Sequence, residues 1–471
     1  MKQRKFNLLY LLLMAVFVLS SCSKSSQKNA KFIPDNAVVF SIDVKQILEK
    51  GKIADNAEAK KKLLESIEQG AKNQETKDLF KKIVDDPTKA GVDLSEPLFF
   101  FTTADSKDMG IVGSILDKGD FTEVLNTVAK EAGSEAAKEK DGLQYWESDG
   151  TVIVFDDATF FASEGKKLDD VIAKFKNDDT KGTMAESDDF AKLADGDGFV
   201  KALIPMAIAE EQIGDAKKVL PEGAELKDLS ILLNLTSSKG EAKLAFNVIA
   251  KSDVWKKHIK ENSEICDNIN GDYLKFLPKG ALMLYTNFDG KKLFELLEKK
   301  GAFKQAGMES QIDIAKKILE AIDGDFALGV GEIKGSMPQV AAYLKTKDGS
   351  IADFAKQNGL NPGNGIDFGF KDGATYVAVG TGAFKEASDK FDKSVISGRR
   401  FYIFCDVELI SGLAGLVNST AASNAKSASE VIKTAEFYDT SDTEGEFILK
   451  FKDAEKDPIE FFAEMALKSI M

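Results

Sequence analysis

Two apolar rhythms alternate along this chain. Short runs of about five apolar residues, with the look of β-strands, give way after a turn residue to stretches whose apolar positions lie three and four apart, the spacing that lays one stripe along a helix. The first such run, residues 38–42, is opened by Phe32-Ile-Pro-Asp-Asn-Ala37. It is followed by Asp43, whose side-chain oxygen can accept an orphan backbone N–H and cap a helix ending near Leu48. The same grammar returns later. Phe276-Leu-Pro-Lys-Gly-Ala281 opens the run 282–286, Asn287 takes the capping place, and a helical stretch ends near Leu297.

Further blocks recur in the same order. Residues 111–116, the turn Asp117-Lys-Gly-Asp-Phe121 and a helix over 121–130 are matched by 340–344, Lys347-Asp-Gly-Ser-Ile351 and a helix. A hairpin of 145–147 and 151–155 around Ser148-Asp-Gly150 is matched by 366–370 and 374–379 around Lys371-Asp-Gly373, and Asp-Gly between apolar strands favours the tight turn that suits strand twist. Runs at 199–203, 229–235 and 242–249 find echoes at 401–407, 434–438 and 447–451. Repetition in one order predicts an internal duplication. The expected fold is α+β: two tandem homologous halves, 32–253 and 274–471, each a largely antiparallel sheet covered by helices such as 121–130 and 291–300. The charged, Asn-rich stretch 254–273 reads as the linker, and 178–189 and 418–429 read as loops or irregular helices.

One apolar run fits neither rhythm. Residues 8–19 are uninterruptedly apolar, preceded by Lys2, Arg4 and Lys5 and closed by Ser20, Ser21 and Cys22. A helix needs about 20 apolar residues to span a bilayer, so this shorter run reads as the core of an export signal, residues 1–21. Leu19-Ser20-Ser21-Cys22 resembles the lipobox of bacterial lipoproteins, which makes Cys22 the lipidated first residue of the mature chain. Residues 22–31, rich in Ser, Lys, Gln and Asn, are expected to be a flexible stalk.

Composition narrows the chemistry. Loss of the three signal cations takes the formal net charge from −14 to −17, which repels nucleic acid and anionic lipid and excludes nucleic-acid partners. Once Cys22 is lipidated, Cys266 and Cys405 remain, too few for a disulfide framework; unpaired buried thiols are expected, with one bridge between them as the alternative. The 33 Phe against eight Tyr and two Trp point to core packing, leaving Tyr145-Trp146 and Trp255 as candidates for stacking on a sugar. His258, the only histidine, lies among Lys256, Lys257 and Lys260 and reads as a solvated helix face. A chain with one His is poorly equipped for Ser-His or Cys-His nucleophiles and for zinc sites, and no catalytic residue, metal or cofactor is assigned.

Weaker motifs fare no better. Gly329-Val-Gly331 lacks the third glycine of a dinucleotide loop, and Ser163-Glu-Gly-Lys166 and Ser423-Asn-Ala-Lys426 have a Ser-x-x-Lys spacing that a Lys-rich chain produces by chance. Asp156-Asp157, Asp178-Asp179 and Asp188-Asp189 read as solvated turns, and Asp195-Gly-Asp-Gly198 and Asp323-Gly-Asp325 as calcium-loop fragments without the distal Glu.

Lipobox, stalk, the Phe-[Ile/Leu]-Pro-x-[Asn/Gly]-Ala openings and duplicated α+β halves together resemble an uncharacterised family of Bacteroidetes lipoproteins, a domain of unknown function covering nearly the whole mature chain. That resemblance implies secretion and lipid anchoring and brings no activity or site residue. The expected protein is a non-catalytic binding or structural component of the cell envelope, tethered at Cys22 to the outer membrane and facing the periplasm. An envelope protein or glycan would sit in the groove where the halves meet. The alternative is a carboxylate-dependent hydrolase of glycan or peptidoglycan, which needs two carboxyls roughly 5–9.5 Å apart in one cleft.

Overall fold

A computed structural model of the chain describes residues 26–469 apart from 53–56, 105–107, 211–219, 279, 306, 308, 335–336, 360–361, 364, 388–390, 415–422 and 424–425. The signal segment 1–21 and Cys22 lie outside the described residues, as does most of 418–429. Helix and strand are mixed, with strands paired antiparallel throughout the described sheet registers. No described helix is long and apolar enough to cross a membrane. The chain forms two compact units, Met1–Gly214 with Glu225–Lys239 and Glu455–Met471, and Asp215–Ala224 with Gly240–Ala454.

The first unit contains strands β1 (Val38–Ile42), β2 (Leu98–Thr102), β3 (Met109–Ser114), β4 (Lys138–Lys140), β5 (Leu143–Ser148), β6 (Thr151–Phe155), β7 (Thr159–Glu164), β8 (Val200–Pro205) and β9 (Leu229–Ser238). They pair in the order 9-8-1-2-3-7-6-5-4. Its helices are α1 (Val44–Gly51), α2 (Ala57–Gly70), α3 (Gln74–Asp85), α4 (Lys118–Ala132), α5 (Leu168–Lys176) and α6 (Asp188–Asp195), with a C-terminal helix over Pro458–Ser469. Asp43 caps α1 as expected, accepting from the Gln46 N–H at 2.9 Å, and Asp117 caps α4 through the Asp120 N–H at 2.8 Å. Asp149 and Gly150 both take positive φ, 49° and 86°, in the turn between β5 and β6, the conformation that Asp-Gly accepts readily.

Phe is the core residue of this unit. Phe32, Phe99, Phe101, Phe161 and Phe190 share one buried cluster with Val39, Val112 and Leu203. Phe32 stacks on Phe161 at 5.4 Å between ring centres, and burying such a ring contributes about 2–3 kcal/mol. The expected stalk is shorter than residues 22–31. Ser26–Asn29 forms a helical turn, Ala30–Phe32 a 3₁₀ turn, and Asn29, Ala30 and Phe32 are buried. Asn29 is admitted to the interior because its amide donates to Ser114 Oγ and its oxygen accepts from Thr159 Oγ1.

Part of that order of pairings recurs in the second unit. Its strands are β10 (Glu241–Ala250), β11 (Leu282–Asp289), β12 (Ile322–Lys334), β13 (Met337–Thr346), β14 (Ile366–Lys371), β15 (Ala374–Val379), β16 (Phe401–Asp406), β17 (Ile432–Asp439) and β18 (Glu444–Phe451). Their order is 10-18-17-16-11-12-13-15-14. Its helices are α7 (Asp253–Ser263), α8 (Gly290–Lys299), α9 (Ile312–Glu320), α10 (Ser350–Gln357) and α11 (Val407–Ala414). The stretch 254–273 holds most of α7 and then buries Ile265, Ile269 and Tyr273.

Two details of the expected repeat differ. The cap of α8 is Asp289, which accepts from the N–H groups of Lys291 and Lys292; Asn287 instead stays within the longer β11, buried, and donates to the Asn268 carbonyl at 2.7 Å. The two Asp-Gly hairpins are also not in corresponding places. β15 pairs with β13 as β7 pairs with β3, so β14–β15 stands where β6–β7 stands, and the Asp149-Gly150 hairpin lies one strand further out. Gly329 and Gly331 belong to β12, not to a loop: a Cβ on Gly329 would come within 3.0 Å of the Pro278 ring, so these glycines let Leu277 and Pro278 approach the strand closely.

A buried carboxylate helps fasten α4 to α3. Glu131 is buried and accepts from the Lys72 and Asn73 N–H groups at 2.7 and 3.2 Å, from the Asn73 side chain at 2.8 Å and from Thr76 Oγ1 at 3.0 Å. Burial alone would raise its pKa, but those four donors outweigh burial and hold it below the ordinary 4.5. We expect Glu131→Ala to cost roughly 2–4 kcal/mol in urea unfolding at neutral pH. The native advantage is fully present above the ordinary carboxylate pKa and is lost as pH falls through the lowered one, so the gap between wild type and variant should narrow in acid.

Candidate functional site

Five tyrosines stand in one cross-strand row of the second sheet. Reading across the registers, Tyr438 on β17 faces Tyr402 on β16, which faces Tyr285 on β11; Ala327 of β12 intervenes, then Tyr343 on β13 faces Tyr376 on β15. Tyr273 stacks on Tyr343 at 5.4 Å, so six of the chain's eight tyrosines form one array. The phenols need polar partners where they are buried, and they have them. Tyr285 donates to Asp325 Oδ2 at 3.0 Å, Tyr402 to Glu436 Oε2 at 3.0 Å, Tyr438 to Glu446 Oε2 at 2.5 Å and Tyr376 to Asp367 Oδ1 at 3.2 Å.

Asp325 is the centre of this network. It is fully buried and also accepts from the backbone N–H groups of Asn270 and Gly271 at 3.0 and 2.9 Å. The Asp323-Gly-Asp325 sequence is thus strand β12 with an internally saturated carboxylate, not part of a calcium loop. Burial, reinforced by Asp325, pushes the Tyr285 phenol far up and Tyr273 to about 12; burial and Glu436 raise Tyr402, and burial and Glu446 take Tyr438 to about 12. At neutral pH these hydroxyls are donors and none is a tyrosinate base.

The first sheet has different residues in the corresponding row. Ser41 on β1 faces Lys201 on β8, and Lys201 faces Asn234 on β9, where the second unit has Tyr285, Tyr402 and Tyr438. Lys201 is buried, its ammonium donating to the carbonyls of Ala194 and Gly196 at 3.0 and 2.8 Å.

Beside the tyrosines lie two arginines that motif reading passed over. The whole chain has three arginines against sixty lysines, and the two in the body are adjacent, Arg399 and Arg400. Scarcity was the available signal, because guanidinium is chosen where a planar, forked or stacking cation is needed and an ammonium will not serve. Arg399 lies over the Tyr438 ring at 3.3 Å and the Tyr402 ring at 5.2 Å. Arg400 donates through Nε to Asp439 at 3.0 Å and through Nη1 to Asp442. It lines a cleft of about 750 Å³ within the second unit, together with Lys256, Lys260, Asn268, Ser441 and Thr443. The two cleft carboxylates, Asp439 and Asp442, both accept from that one guanidinium.

The remaining candidates are scattered. Ser163 is buried and donates to the Met109 carbonyl at 3.1 Å while Lys166 pairs with Asp108, so no Ser-Lys dyad forms there; the middle of Ser423–Lys426 lies outside the described residues. Asp156 accepts from the Ala158 and Thr159 N–H groups, Asp157 pairs with Lys118, Asp178 with Lys31, and Asp179 accepts from the Lys181 N–H. Asp189 is buried, and Asp197 accepts from Asn234 at 2.8 Å. Trp146 and Trp255 are buried, the former donating to the Glu135 carbonyl, which removes both from the surface a sugar would need. Cys266 and Cys405 are free, half-buried thiols, both raised in pKa by burial. Among the described residues no three His, Cys, Asp or Glu side chains are grouped to hold a metal.

Comparison with protein families matches residues 30–366 to the family described as Domain of unknown function (DUF4836). The chain belongs to that family. No curated protein matches it. Among solved structures, this DUF4836 chain is similar to crystal form I of TP0453, with 15% identity over 52% of this chain and 88% of that one and a TM-score of 0.27. Crystal form III of the same protein gives 16%, 50%, 86% and 0.27.

Two measurements check this description. In the DUF4836 chain Asp325→Ala should lower second-unit stability by roughly 3 kcal/mol or more, and Tyr285→Phe by about 1–2 kcal/mol, in urea unfolding followed by tyrosine fluorescence. His258 sits on α7, 3.2 Å from the Asn262 amide and edge-on to Trp255; burial, then Lys300, lowers its pKa below the ordinary 6.5. As the only histidine, it should give one NMR titration midpoint under that value, rising in Lys300→Ala. Because the unfolded chain holds that proton more tightly, stability should decline slightly as pH falls through the mid-sixes.

Proposed function

We propose that this chain is a cell-envelope lipoprotein that works by binding a partner. Cys22 attaches it to the outer membrane, the body faces the periplasm, and the partner is an envelope protein or glycan; nucleic acid is excluded by the charge of −17. The attachment rests on the run 8–19 closed by Leu19-Ser20-Ser21-Cys22. Its geometry adds a constraint: the helical turn Ser26–Asn29 starts four residues past Cys22 and runs into buried Ala30 and Phe32, and four residues reach at most about 14 Å, so this end of the first unit stands close to its membrane.

The observation that carries the binding reading is Arg400. A hydrolase of the carboxylate type needs one acid free to protonate a leaving group and a second free to attack or activate water. Both carboxylates of the large cleft are instead engaged by a single guanidinium, and the tyrosine-bound acids Asp325 and Glu436 are buried in the sheet. What supports an origin by duplication is the common order of strand pairing in the two units together with their repeated openings, in keeping with the resemblance to Bacteroidetes lipoproteins.

In cells fed radiolabelled palmitate, the wild-type chain should carry label and sediment with outer membranes. Cys22→Ala should lose the label and move to the soluble periplasmic fraction, and protease added to intact cells should spare the wild type. Label that persists in Cys22→Ala, or wild type found in the soluble fraction, contradicts the anchor; release by protease contradicts the orientation.

A further inference from the structure

An antiparallel sheet that buries one face usually turns polar residues to the other. The second sheet does not. Along β11 the buried residues Met283, Tyr285 and Asn287 alternate with half-exposed Leu282, Leu284, Thr286 and Phe288. The wetter face is the more apolar of the two.

This holds across the sheet. Phe447, Phe437, Ile403, Leu284, Leu328 and Val377 lie in one cross-strand row on that face, with Ala342 between the last two, and all but the exposed Phe447 are half-exposed. The neighbouring row, from Leu449 on β18 through Cys405 and Leu282 to Val340 on β13, is equally apolar and also half-exposed. Helices α8, α9, α10 and α11 pack on strands of this sheet, and both rows remain half-exposed with them in place. Two adjacent apolar rows left partly open on one sheet face mark a binding surface.

The chemistry of the rows selects the occupant. The backbone groups of these interior strands are taken up by neighbours on both sides, and no side chain in the two rows carries an O–H, an N–H or a charge. The face can match only hydrocarbon. Net charge of −17 on the mature chain disfavours an anionic headgroup. We infer that this face of the second unit binds the acyl chains of an uncharged or zwitterionic lipid. The source of that lipid, the membrane beside the body, rests on the anchored reading above; the face itself does not.

The test uses the full mature chain, residues 22–471 with Cys22→Ala, titrated with the neutral fluorophore N-phenyl-1-naphthylamine. Saturable emission displaced by monoolein is expected. Leu284→Glu should weaken binding about tenfold or more, equivalent to about 1.4 kcal/mol. Ile403→Trp, which stays apolar but fills the face, should weaken it as well, while Lys140→Ala on the surface of the first unit should leave it unchanged. Absence of saturation, failure of monoolein to compete, or unchanged affinity in folded Leu284→Glu and Ile403→Trp chains would overturn the proposal. So would a dimer in sedimentation that Leu284→Glu dissociates, since a second copy would then cover the face. Palmitate labelling of Cys22 is read separately, so loss of anchoring and loss of acyl binding are distinguishable.

Discussion

A fully buried carboxylate sets the terms for the second unit. Asp325 has no access to water, and a carboxyl group in that position is tolerated only where donors surround it. The donors come from three places: the Asn270–Gly271 backbone, the Tyr285 hydroxyl on the adjacent strand, and the Asn270 side chain. The segment that supplies two of them, 268–277, is thereby pinned over one face of the sheet. Tyr273, Leu274 and Leu277 follow into the core with it, and Tyr273 meets Tyr343 ring to ring. Hydrogen bonds that are costly to leave unmade fix the cover of this face, and the tyrosine row is the consequence.

The other face has no such clamp. Its side chains are as apolar as those beneath Tyr273, yet water reaches them. The apolarity of an incompletely covered face departs from the usual pattern of antiparallel sheets, and a departure of that kind is where function is to be sought. The first unit shares part of the order of pairing but replaces Tyr285, Tyr402 and Tyr438 with Ser41, Lys201 and Asn234 in the corresponding row. Similar scaffolds thus carry different interiors.

Much of the architecture was legible before any coordinates. Residues 38–42 are β1 itself, both Asp-Gly turns adopt the positive φ expected of them, and Asp43 and Asp117 cap their helices, because each signal is local. What was not legible depends on partners distant in sequence. Helices α2 and α3 lie in a charged stretch whose fastening is Glu131, more than fifty residues away in the chain. Asn29 looked like stalk because its partners are Ser114 and Thr159. Asp323-Gly-Asp325 resembled a fragment of a calcium loop because the Tyr285 and Gly271 donors are invisible to spacing. The tyrosine row needs strand register to appear at all, whereas the pairing of two arginines among sixty lysines was readable and was not read.

The central claim is that the half-open face of the second sheet accommodates acyl chains, and the chain contains its own reporter. Cys405 lies within the two apolar rows, in register with Leu282, whereas Cys266 pairs through its backbone with Phe288 near the other end of β11, outside both rows. The direct measurement is the rate of iodoacetamide alkylation at each thiol, followed by mass spectrometry with and without monoolein. Slowing at Cys405 with Cys266 unchanged is the predicted result; equal rates with and without the lipid at Cys405, or the same slowing at both thiols, would contradict the account.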